Sequence, residues 1–165
     1  MADLEKTDNA AKKLEGIGGW LILVAIGLIF NPLRMLVSLS RNLLPAFSHE
    51  TWAILTTPGS EAYHPLWAPL LIFELAGNGV FIIFSVIVAI FFFRKKKFFP
   101  KMIIIFLLSN LFFVAADYFA ANAIPFIANQ SDPESVRELV RTFIGCLIWV
   151  PYFIKSKRVK ATFVK

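Results

Sequence analysis

What this sequence lacks narrows its chemistry first. It has a single cysteine, Cys146, so neither an intramolecular disulfide nor a CxxC redox pair can form. That excludes the four-helix membrane thiol oxidoreductases, and Cys146, inside an apolar run, reads as a small packing residue. There is no GxSxG, and neither of the two histidines stands in a recognised triad pattern, so no catalytic residue is assigned. His49, Glu50, Glu61 and His64 share one loop without the spacing of a standard ligand set. Solvated loop side chains are the expected reading there, with no metal and no cofactor. Charge is scarce as well: 17% of the 165 residues are Asp, Glu, Lys or Arg, against 58% hydrophobic residues that include 18 Phe. A soluble domain of this size cannot keep so much apolar surface out of water. The expected class is all-α and integral to a membrane.

What is present is organised around Phe91 to Lys101, FFFRKKKFFPK, where Arg94, Lys95, Lys96 and Lys97 separate two long apolar runs. A hairpin this basic resists crossing a bilayer and therefore orients the segments on either side of it. Three, five and five of the 17 Lys and Arg fall in the amino-terminal tail, this hairpin and the carboxy-terminal tail. Positive-inside then puts both termini in the cytoplasm. The net charge of +6 does not point to nucleic acid, because the cations sit at the ends of apolar runs. Membrane lipids are the expected partners, and the hairpin cations are the candidate contact for anionic lipid.

The domain reading is a cytoplasmic tail over residues 1–15, a transmembrane domain over 16–155 and a basic cytoplasmic tail over 156–165. Residues 1–15 make a poor signal peptide, being mixed in charge and followed by too long an apolar run. Four spans are expected at about 17–39, 66–93, 100–124 and 136–154, forming a four-helix bundle of two antiparallel hairpins. Asn31-Pro32 predicts a kink in the first span. Ser48 is placed to cap a short helix that turns Trp52 inward, in the long connection from Ser40 to Pro65. Gly77 and Gly79 thin the second span, where a neighbouring helix can approach.

Each span carries an ionisable residue where lipid would make it costly. At ~1.5 Å per residue, Arg34, Glu74, Asp117 and Arg141 lie roughly 20 to 28 Å from the hairpin-side edge of their spans. Asn78, one turn below Glu74, extends the polar stripe, and Asn31 and Asn110 lie deeper still. Two readings stand. One is an ion-pair and hydrogen-bond network that fixes helix register, with Asp117 compensated by Arg34 or Arg141. The other is a polar cavity for a small ligand, an ion or a lipid head group.

The carboxy-terminal tail, KSKRVKATFVK, has alternating apolar residues and reads as a short strand or a segment on the membrane surface. Tyr152, Ser156, Arg158, Thr162 and Phe163 are candidate contact residues, since orientation needs only the cations. The stretch from Trp149 to Phe163, WVPYFIKSKRVKATF, resembles the ending of a bacterial family known as domain of unknown function 2569. Gly18-Gly-Trp-Leu21, Phe73-Glu74 with Asn78, and Asp117-Tyr118 fit the same family, over roughly Gly16 to Val164. The resemblance implies a small four-span protein of the bacterial inner membrane and supplies no activity, substrate or catalytic residue. The preferred reading is a non-enzymatic membrane module that binds a protein partner, itself or lipid. The alternative is an oligomeric carrier of a small solute or ion that uses the outer polar layer.

Overall fold

The computed structural model of the protein describes residues 16–129 and 133–164. The tail expected over residues 1–15 lies outside the described residues, as does Lys165. All regular structure among the described residues is helical.

The first helix, α1, covers Trp20–Ser38 and runs through Pro32 without interruption. Pro32 has no N–H for the Leu28 carbonyl, so the helix loses one bond there. Nor does it end near Leu39. It continues as a π turn over Leu39–Leu43 and a 3-10 turn over Leu44–Phe47, giving 28 consecutive helical residues. Ser40, Arg41 and Asn42 suggest a loop by composition, yet no Gly or Pro breaks the chain before Pro45, and all three polar residues are exposed.

Helix α2, His49–Thr56, starts as its capping residue predicts: the Thr51 N–H donates to the Ser48 hydroxyl at 3.3 Å. Trp52 stacks on Phe47 with ring centroids 5.3 Å apart, above a buried cluster of Leu43, Trp67, Leu70, Leu71 and Ile124. Helices α3, Trp67–Phe93, and α4, Phe99–Asn122, flank the basic turn. A short α5, Pro125–Ala128, precedes α6, Pro133–Lys155. The tail forms a last helix, α7, Lys157–Thr162, instead of a strand, because the Ser156 hydroxyl accepts the Val159 N–H and caps it.

The long helices pack in the order α1, α3, α4, α6, each on the next, while α1 and α6 meet only slightly. The main core joins Leu21, Val24 and Leu28 of α1 to Phe81, Val88 and Phe92 of α3, to Phe99, Ile103 and Phe106 of α4, and to Phe153 of α6. Outward faces stay apolar; Phe112, for example, is 77% exposed. Three helices, Trp20–Phe47, Trp67–Phe93 and Phe99–Asn122, are long and apolar enough to cross a membrane. The fourth long helix, α6, opens with Glu134, Arg137, Glu138 and Arg141.

The basic turn ends α3 with paired bonds from the Lys95 N–H to the Phe92 carbonyl and the Lys96 N–H to the Phe91 carbonyl, both 3.0 Å. This is a Schellman stop, and it holds Lys95 at φ 52°, a region that favours glycine. Lys95→Gly should therefore raise the unfolding midpoint in mild detergent, by a gain of about 1 kcal/mol. A lower midpoint would mean that the Lys95 charge matters more than its backbone strain.

Candidate functional site

A polar cavity of about 390 Å³ opens between α1, α3, α4 and α6. Arg34, Glu74, Asn78, Asp117 and Arg141 all line it, as do Asn31 and Asn110. Helical spacing explains the convergence. Asn31 and Arg34 are three apart on α1, Glu74 and Asn78 four apart on α3, and both spacings keep a pair on one face. The floor is aromatic, with Phe81 and Phe106 in edge contact at 5.8 Å.

The pairing of charges differs from the expected one. Arg34 and Arg141 do not compensate Asp117; both approach Glu138 Oε1, at 3.9 and 3.6 Å. Glu138 precedes Arg141 by three residues and so shares its face of α6, a spacing that signals this partner in the sequence. The three side chains are about half exposed, with relative areas of 50–60%, and the pairs are correspondingly weak.

Relieved of the arginines, the other two acids face each other. Glu74 and Asp117 are neighbours on the cavity wall, and their carboxyl groups interact with each other. Asp117 Oδ1 is buried and has no donor among the described residues. Such a pair calls for a proton or a cationic group between its oxygens. Asn78 spends its amide N–H on the Glu74 backbone carbonyl, at 2.8 Å. Asn31 donates to the Met35 sulfur, at 3.5 Å. Among the described residues, no three His, Cys, Asp or Glu side chains gather as a metal ligand set. An acceptor-rich interior with cations at its rim suits an organic cation or a zwitterion.

The remaining predicted residues lie at the hairpin end. Arg94, Lys95, Lys96 and Lys97 form the turn itself. Phe163 is buried, 4.4 Å from the Phe99 ring and 5.6 Å from Phe92, the residues that bracket the turn. The Thr162 hydroxyl donates to the Gly16 carbonyl at 3.1 Å, and the Arg158 side chain lies across Gly18. Tyr152 stands 6.4 Å from Trp20 and 5.8 Å from Trp149. The GGWL segment and the tail, far apart in sequence, thus form one contact. Cys146 is buried at the α4–α6 seam, its thiol 3.3 Å from the Leu107 carbonyl.

The model of a family described as "Protein of unknown function (DUF2569)" matches residues 14–164. No curated protein and no solved structure matches the chain.

Proposed function

From the premise that the chain belongs to the DUF2569 family, we propose that it is a membrane protein that holds a small ligand with a cationic group in its four-helix cavity. The observation that carries this reading is the Glu74–Asp117 carboxyl pair, with one oxygen left without a donor, on the wall of a polar cavity. An ammonium group can donate to both carboxyl groups, and the Arg34–Glu138–Arg141 cluster at the rim can receive an anionic group of the same molecule. A free solute and a lipid head group share this chemistry. A carrier of such a solute would use the same cavity.

Thermal stabilisation provides the test. Ethanolamine, as a primary ammonium probe, should raise the midpoint of the purified protein, and ethylene glycol should not. Glu74→Gln with Asp117→Asn should abolish the shift while the protein stays folded. Equal shifts from both compounds would sink the cationic reading.

The surrounding architecture belongs to the same proposal. The protein is read as a four-helix bundle in the bacterial inner membrane, with α6 as the fourth span and both ends cytoplasmic. Packing of α6 along α4, with Val140, Phe143, Leu147 and Ile148 exposed, supports that span despite its charged first turns. The cation distribution supports the orientation. Alkaline phosphatase fused after Gly59 or Asn129 should be active, and after Lys97 or Lys165 inactive. Activity after Lys97 would overturn the orientation.

A further inference from the structure

A second hollow, of about 450 Å³, runs between α1 and α3 and shares no lining residue with the polar cavity. Its walls are apolar, with Leu28 and Pro32 on one side and Val86, Ala89 and Phe93 on the other; Arg94 closes one end. Ala89 is the smallest side chain that lines it. From Val86 to Arg94 the groove follows about 12 Å of helix. That is close to the ~15 Å depth of one leaflet's hydrocarbon.

We infer that this groove is a specific site for one anionic phospholipid of the hairpin-side leaflet, its acyl chain along Ala89 and its phosphate on Arg94. Charge complementarity selects this occupant. Arg94 begins a run of four cations, and none of the described carboxylates makes an ion pair with it. A second copy of the chain inserted the same way would bring its own four cations to the same depth and be repelled. A lipid phosphate brings the opposite charge, and a basic pocket between membrane helices suits such a head group. The inference is independent of the ligand proposed for the carboxyl pair, because the residues that line the two hollows are different.

Native mass spectrometry of the full chain from mild detergent tests this with phosphatidylglycerol and phosphatidylethanolamine of identical acyl chains. The protein should retain one phosphatidylglycerol that phosphatidylethanolamine does not replace. Arg94→Gln should weaken its retention about tenfold, the loss of one charge-assisted contact. Lys96→Gln removes the same charge outside the groove and should leave retention unchanged. Ala89→Phe should abolish it by filling the groove. If that variant does not fold, Val86→Phe fills the groove from an exposed position and serves instead. Equal retention of the two lipids, an equal loss from Lys96→Gln, or full retention in the folded groove-filling variant would each overturn the inference.

Discussion

Gly77→Leu should be the most damaging single substitution in the helical core, and Gly77→Ala should already lower the unfolding midpoint clearly. A Cβ built at Gly77 falls on the ring of Phe113, against Cε2 and Cζ, closer than real atoms approach. Phe113 can give way only toward the polar cavity that it lines, because its ring lies 5.0 Å from Phe73 and 5.3 Å from Phe81. Overpacking of this kind costs about 1–3 kcal/mol for a small group and more for leucine. Gly79 is the internal control. A Cβ there meets open space, so Gly79→Ala should be neutral or stabilising by about 0.5–1 kcal/mol, the usual gain from removing a helical glycine. Phe113→Ala combined with Gly77→Ala should recover part of the loss, since the two sites share one contact. Melting in mild detergent reads all four variants. Matching midpoints for Gly77→Ala and Gly79→Ala would show that α3 and α4 are not held together at Phe113. The consequence reaches the cavity, because Phe113 lines it one turn before Asp117.

Phe163→Ala should cost about 3–5 kcal/mol, the range for truncating a buried phenylalanine. Phe163 is only 4% exposed and lies against Phe92 and Phe99, so its removal opens a cavity where the tail meets both ends of the basic turn. Every cation remains in this variant, so topology reporters should not change. Brief trypsin treatment should cut at Lys157, Arg158 or Lys160 sooner than in the parent, because α7 loses its anchor. Thr162→Val, which removes the bond to the Gly16 carbonyl but keeps the volume, should cost only about 1 kcal/mol. An unchanged midpoint for Phe163→Ala, with unchanged cleavage, would mean that the tail holds nothing together.

Much of the helical layout was legible from composition along the chain. The run of apolar residues between Trp67 and Phe93, and that from Phe99, are helices within a residue or so of their expected starts. Ser48 identified α2 because capping is a local bond between near neighbours. The continuation of α1 to Phe47 was not legible. Ser40, Arg41 and Asn42 carry the composition of a loop, yet the turn is helical, with Leu43 packed in one cluster with Trp67 and Leu71. The strand reading of the tail failed for a related reason. Alternation in so short a segment fits strand and helix alike, and the Ser156 cap with burial of Val159 and Phe163 decides for helix.

The candidate site divides the same way. Arg34, Glu74, Asp117 and Arg141 could be assigned to one layer by counting residues, because depth along a helix is a simple sum of rises. Their partners could not. Glu138 was visible only as one charge among several at the start of α6, yet it takes both arginines and leaves the two remaining acids to each other. By itself, then, the sequence determined the helical class, the membrane-length apolar runs and the level of each charge, since hydropathy and charge act residue by residue against the surroundings. The tertiary structure alone decided which charges meet, which glycine lies under a ring and where the tail rests. Those outcomes depend on how each helix is rotated and which neighbour it packs beside, and no periodicity within a single helix carries that information.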